Sequence, residues 1–228
     1  MLVKDWMSSP VVTVDSNDSL QRAGNLMAEN EIDLLPVLDG SKLVGILTDR
    51  DLKRVAPSSI QYLELRDVLY RMTQVKVETA MTKHPVTVHP DFIVEEVAQL
   101  LRERQLSGCP VVDHDGRLVG VITRDDLFRA MLTVSGMPKR GMQFGFLLGD
   151  RPGAVKEITD VIRKYNCRLI GIASTYEKAP TGFRYVFVRA FNVNRERLPF
   201  LKKELSGLAK LLYVVDLRDG TREIDAVS

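Results

Sequence analysis

Two stretches of this chain repeat one another at a spacing of 74 to 75 residues. Thr13-Val14, the run Ile32 to Val37, and Gly45-Ile46-Leu47-Thr48-Asp49-Arg50-Asp51 return as Thr87-Val88, Leu106 to Val111, and Gly120-Val121-Ile122-Thr123-Arg124-Asp125-Asp126. A repeat of this length implies two equivalent units that bury their apolar faces together and share a groove.

The order within each unit is readable. Val11 to Val14 predicts a short strand, and Leu20, Ala23, Leu26 and Met27 place an apolar stripe on a helix that Asp18 can cap, with Gln21 completing a capping box. Leu34 to Leu38 and Leu43 to Leu47 are strands joined by the turn Asp39-Gly40-Ser41, and Asp49 to Val55 is a second helix. In the other copy Val94, Val97, Leu100 and Leu101 form the helix stripe. Pro110 to Val112 and Leu118 to Ile122 form the strands around His114-Asp115-Gly116. Between the copies, Leu65, Val68, Leu69 and Met72 stand at helical spacing and predict a packed helix.

The core Gly-x-x-Thr-x-x-Asp, present as Gly45 to Asp51 and again as Gly120 to Asp126, resembles the CBS motif, the cystathionine-beta-synthase type of regulatory module. The resemblance covers Val3 to Leu132. It implies a pseudo-symmetric pair that binds adenosine nucleotides in one or both clefts. Thr48 and Thr123 would then hold a phosphate or ribose oxygen at a strand-to-helix junction, where helix N–H groups point outward. Asp51 and Asp126 would accept hydrogen bonds from ribose hydroxyls, and Arg50 and Arg124 are candidate phosphate partners. A plainer alternative stays open, in which both threonines cap the following helices and both aspartates favour the positive helix ends. Gly45 and Gly120 read as points of close packing. Asp49 beside a polyphosphate would be unfavourable while Arg124 compensates, which inclines the nucleotide site toward the second motif.

After Gly136 to Gly141 the pattern changes. Phe144 to Leu148, Leu169 to Thr175, Phe183 to Phe191 and Leu211 to Leu217 read as strands. Val155, Ile158, Val161, Ile162 and Tyr165 mark one helix, and Leu198, Leu201, Leu205 and Leu208 mark another. This beta-alpha-beta-beta-alpha-beta order is ferredoxin-like. Asp150-Arg151-Pro152-Gly153-Ala154-Val155 with Asn166-Cys167-Arg168-Leu169 resembles the entrance loop and first helix of an ACT domain. That resemblance implies amino-acid or other small-molecule binding, often between paired subunits, and makes Asp150, Gly153 and Asn166 candidate effector contacts. Pro152 can begin the helix. Alternatively Asp150 caps it, and the module binds only its symmetry mate.

A net charge of +2 over 228 residues gives little electrostatic reason to expect nucleic-acid binding. No secretion-type leader and no bilayer-length apolar run is visible, so a soluble cytoplasmic protein is expected. Cys109 and Cys167 suggest no disulfide framework, and His84, His89 and His114 suggest no metal site. No nucleophile–base pair or P-loop lysine identifies an enzyme, and no cofactor for catalysis is expected. The fold class expected is mixed α/β and α+β: a tandem CBS pair over 1–135, a linker at 136–141, an ACT-like domain over 142–218 and a tail at 219–228. The organisation resembles the acetoin-utilization family of CBS and ACT proteins. The function expected is regulation, with AMP, ADP, ATP or an S-adenosyl compound as ligand, a homodimer as assembly, and the signal passing along Ala130 to Gly141. The alternatives are a purely structural assembly protein and an unidentified enzyme.

Overall fold

The apolar, β-branched runs of each repeat fold into an antiparallel hairpin followed at once by a helix. In the computed structural model, which describes residues 1–55 and 72–225, the first repeat contains β1 (Val14–Asp15), α1 (Leu20–Asn30), β2 (Leu34–Asp39), β3 (Lys42–Thr48) and α2 (Asp49–Val55). The second contains α3 (Val77–Ala80), β4 (Thr82–Lys83), α4 (Val94–Glu103), β5 (Gly108–Val112), β6 (Leu118–Thr123) and α5 (Arg124–Val134). The hairpins share one register: Pro36 lies opposite Ile46, and Pro110 opposite Val121. The helix expected from Leu65, Val68 and Leu69 falls outside the described residues.

Two local expectations are corrected. Ser19, not Asp18, caps α1, its hydroxyl accepting from the Arg22 N–H at 3.2 Å. Asp18 instead accepts from the Asp15 N–H and pairs with Arg22. The first strand is confined to Val14–Asp15, which pairs in parallel with Val37 and Leu38.

The repeats exchange their leading segments. Val3 and Met7 fill the core of the second repeat with Val88, Val97, Leu101, Cys109, Val111 and Ile122. Reciprocally, Val77, Ala80 and Met81 fill the core of the first with Val14, Leu20, Ala23, Leu35, Val37 and Leu47. Backbone bonds mark the exchange twice: Val3 N–H donates to Phe92 C=O and Lys4 N–H to Pro90 C=O, while Val77 N–H donates to Asp18 C=O and Glu78 N–H to Ser16 C=O. A third small cluster, Leu34, Ile46 and Val121 with Val11, joins the two hairpins. The glycines make the close approach possible. A Cβ on Gly45 would stand 2.4 Å from the Met81 sulfur, and one on Gly120 would stand 2.3 Å from the Met7 sulfur.

By its internal contacts the chain divides between Phe128 and Arg129, inside α5 rather than after it. The second unit comprises β7 (Met142–Gly149), α6 (Ala154–Lys164), β8 (Arg168–Thr175), β9 (Phe183–Phe191), α7 (Leu198–Ser206), β10 (Lys210–Asp216) and β11 (Arg222–Ile224). Its sheet runs β11-β10-β7-β9-β8 and is antiparallel throughout, which is the ferredoxin-like order with one strand added. Phe144, Phe146, Ile158, Ile162, Val186, Val188, Leu201 and Leu205 are its buried core. The segment expected as a tail supplies β11, whose Glu223 lies opposite Val214. The stretch expected as a linker is packed tightly against the sheet. Gly136 and Gly141 meet Ile170, the Val134 carbonyl oxygen stands 2.9 Å from where a Cβ on Gly171 would be, and Arg189 donates to the Ser135 carbonyl at 2.8 Å.

Candidate functional site

Each strand-to-helix junction closes on itself. Thr48 ends β3, and its N–H and hydroxyl both donate to Asp51 Oδ2, at 2.9 and 2.8 Å. Thr123 ends β6 and makes the same two bonds to Asp126 Oδ2, again at 2.9 and 2.8 Å. There the Asp126 N–H returns a longer bond to the Thr123 hydroxyl at 3.3 Å. This is a reciprocal cap built from Thr at the N-cap and Asp at the third helical position. Both aspartates are only 6% exposed. The next N–H groups are also engaged, Asp49 donating to the Asp33 carbonyl and Arg124 to the Ser107 carbonyl. At each junction the threonine amide and hydroxyl and the next N–H are thus engaged within the fold, with a carboxylate at the positive helix end.

Paired charges flank the first junction. Arg54 donates to Asp51 Oδ1 at 2.7 Å and reaches the Ala80 carbonyl at 3.4 Å. Lys53 pairs with Asp49 at 2.7 Å, and that hydrogen bond holds the Asp49 carboxyl below its ordinary range. Arg50 is exposed on α2. At the second junction a cleft of about 520 Å³ opens beside Thr123, Arg124 and Asp126. Ser8 to Val12 and Asn30 to Leu34 of the first repeat supply its opposite walls, with Ser107 and Val121 completing it. The sequence reading missed Ser8, Asn30, Glu31 and Asp33 as lining residues. They lie 90 or more positions from Thr123, and only the packing of the first repeat onto the second brings them near.

In the second unit the three expected effector residues do not meet. Gly153 is the N-cap of α6, in the left-handed region at φ 83°, with no side chain capping the helix. Asp150 does not cap it, and Pro152 precedes rather than begins it. The Asp150 carboxylate accepts from the Tyr176 hydroxyl at 3.2 Å and lies 3.7 Å from Arg184 Nε. Asn166 follows the other end of α6, at φ 59°. Eleven helical residues separate them, a rise of roughly 16 Å.

Burial pushes the Cys109 thiol up to about 12 and raises that of Cys167 as well. His89 and His114 stack with ring centroids 5.1 Å apart. Among the described residues no three His, Cys, Asp or Glu side chains converge to hold a metal ion, and no helix is long and apolar enough to cross a membrane.

Comparison with known proteins bears on the first unit. A model of the CBS domain matches residues 3–58 and 76–133, together half of the chain. A CBS domain-containing protein of Dictyostelium discoideum is 36% identical over 135 residues, 59% of this chain and 93% of that protein. The CBS domain-containing protein YhcV of Bacillus subtilis is 32% identical over 126 residues, 55% of this chain and 81% of its own length. Among solved structures, the CBS-pair protein CBSX2 from Arabidopsis thaliana superposes with a TM-score of 0.51 at 32% identity, over 57% of this chain and 94% of that one. The exchanged segments, the twin capped junctions and these matches agree: the chain belongs to the CBS domain family, and its two repeats form a CBS pair.

Proposed function

We propose that this chain is a cytoplasmic regulatory protein whose CBS pair binds an adenosine-class ligand in the cleft beside Thr123 and Asp126. The observation that carries the reading is that cleft, about 520 Å³, within the range of small-molecule sites and walled by both repeats. Thr123, Arg124 and Asp126, three of the residues singled out by the CBS resemblance, line it. Thr48, Asp51 and Arg50 are the corresponding candidates at the first junction.

The second unit is proposed to be an ACT-like module that assembles the protein or takes a second small molecule, in keeping with the resemblance to the acetoin-utilization family. Its sheet supports an assembly role. β11 closes one edge, while β8 ends the other and runs uncharged from Leu169 to Thr175. Such an edge is a template for a second copy, and a homodimer through β8 is the assembly favoured. An effector site using Asp150, Gly153 and Asn166 together would have to draw Asn166 from that second copy.

Ligand binding is proposed to bias α5, which begins at the Thr123 cap and ends where Arg189 grips the Ser135 carbonyl. A tenfold difference in ligand affinity between two states of this connection supplies about 1.4 kcal/mol of bias. Titration calorimetry of the intact protein with adenosine, AMP, ADP, ATP and S-adenosylmethionine tests the reading. Saturable binding of at least one, lost in Thr123→Val, is expected. Failure of all five sinks it.

A second reading has its own observation. The reciprocal Thr–Asp bonds fully explain those residue types as helix caps, leaving a protein whose role is assembly alone. It predicts that Thr123→Val lowers stability and changes no binding.

A further inference from the structure

The whole-chain charge of +2, which gave little reason to expect nucleic acid, conceals two halves of opposite sign. Residues 1–128 hold 14 Lys and Arg against 20 Asp and Glu, whereas residues 129–228 hold 18 against 10, so the first unit is −6 and the second +8. That excess reaches the sheet of the second unit. Along β7, β8, β9 and β10 the charged residues are Arg168, Arg184, Arg189, Lys210 and Asp216. The one carboxylate among them is 5% exposed and paired with Arg195.

A second observation is independent of the charge count. Phe144, Phe146, Val186 and Val188 point into the core with Ile158 and Ile162 of α6 and Leu201 and Leu205 of α7, so their strand neighbours point to the face that these helices leave uncovered. There Tyr213 and Phe187 flank Gly145 in register, their rings stacked with centroids 6.3 Å apart. Gly145 has no room for a Cβ beneath the Tyr213 ring, which therefore lies flat across the sheet. Phe183 and Tyr185 continue the row along β9; Phe183 is 43% exposed and the other three rings are half-buried. At the other end of β9, Lys139 and Arg168 stand over the Phe191 ring at 5.3 and 5.9 Å.

We propose that this face of the second unit binds single-stranded RNA, with unpaired bases stacked on Phe183, Tyr185 and the Phe187–Tyr213 pair and phosphates met by cations such as Lys139 and Arg168. A four-stranded sheet with aromatic side chains on its uncovered face takes two or three bases in this way. The run Gly182-Phe183-Arg184-Tyr185-Val186 keeps the glycine, both aromatics and the valine of the strand pattern that marks such sheets, and departs from that pattern at Thr181, Arg184 and Val188. The hydroxyls of Tyr185 and Tyr213 suit a ribose 2′-OH. A second copy of the chain would bring like charge to this face, whereas a nucleic acid brings the opposite. Pairing through the β8 edge leaves the face open.

Fluorescence anisotropy of the full-length chain with labelled mixed-sequence RNA of about 12 nucleotides tests the proposal. Saturable binding at low salt is expected, weakening as salt rises, with duplex RNA and single-stranded DNA of the same sequence each bound about tenfold more weakly. Phe183→Ala should lower RNA affinity about tenfold while thermal melting stays close to that of the parent, and Tyr185→Phe should keep most of the affinity. The pair Lys139→Ala and Arg168→Ala should weaken binding of every sequence alike and flatten its salt dependence. Absence of binding at low salt, duplex RNA or single-stranded DNA bound as tightly as single-stranded RNA, or parent affinity in Phe183→Ala overturns the proposal. A fall in the mass measured by light scattering for Phe183→Ala would also overturn it, by giving the face to a second copy.

Discussion

At the end of β3 Thr48 gives its amide and hydroxyl to Asp51, and at the end of β6 Thr123 gives the same two groups to Asp126, at the same 2.9 and 2.8 Å. What encloses the two caps is not the same. Beside the first cap Asp49 is paired with Lys53. At the second junction the residue in the place of Lys53 is Phe128, 59% exposed, and three exposed carboxylates face the cleft. The comparison teaches that the Thr-x-x-Asp pattern is first a device for ending a strand and starting a helix. The residues that differ around the two caps lie outside the pattern, several of them contributed by the other repeat.

The comparison can be broken most forcefully at the aspartates. Asp51→Ala and Asp126→Ala each strip the acceptor from a threonine amide and hydroxyl, and each should lower stability by about 1 to 3 kcal/mol in urea unfolding. Only Asp126→Ala should also abolish binding in the cleft. Equal loss of binding from both variants would contradict the asymmetry drawn here.

Cys109 offers a pH test of the same contrast, because its counterpart in the first repeat is Leu35 and cannot ionise. Its folded-state value of about 12 lies above the ordinary 9.0. The stabilisation is therefore complete below pH 9 and is lost as pH rises toward 12. At pH 10.5 the loss should be about 2 kcal/mol, by the free energy of one pH unit. Urea unfolding of the parent and of Cys109→Val at pH 8 and pH 10.5 measures it; an identical pH response in both would remove the cysteine from the account.

A smaller difference is expected at the glycines. Gly45→Ala meets the Thr82 carbonyl at 3.1 Å in addition to Met81, whereas the close contacts at Gly120 are all atoms of Met7. Both should cost about 1 to 3 kcal/mol as overpacking. Met7→Ala should rescue Gly120→Ala more completely than Met81→Ala rescues Gly45→Ala, by about 1 kcal/mol. Equal rescue would show that the backbone carbonyl yields.

In the second unit, Ile172→Lys places a charge on the open β8 edge at a residue already 48% exposed. It should leave the monomer's stability within about 0.5 kcal/mol and shift the mass measured by light scattering toward a single chain. Unchanged mass would reject β8 as the assembly edge.

Much of this architecture is legible in the residues themselves. The repeat spacing located both hairpins, and the change from strand to helix at Thr48 follows from Asp49 and Asp51 entering a first helical turn, so that α2 spans the expected Asp49 to Val55. The ferredoxin-like order follows from runs such as Phe144 to Leu148 and the leucine spacing of α7. Other features are not local. Nothing local assigns Val3 or Val77 to a core, and only the three-dimensional pairing shows that each crosses to the other repeat. Ser19 and Asp18 are both good capping types, so adjacency decided nothing. Asp150 and Asn166 look like partners in sequence, yet α6 holds them at opposite ends. The far wall of the cleft was hidden because Glu31 and Asp33 are distant from Thr123 along the chain.

The central claim is that an adenosine-class ligand occupies the cleft between Thr123 and the Asn30 to Leu34 wall. The most direct measurement is a co-crystal structure of the intact protein with whichever of the five adenosine ligands binds most tightly in calorimetry. The account predicts nucleoside density against Thr123, Asp126 and Ser8. Ligand density elsewhere on the molecule, with that cleft holding only solvent, would contradict it.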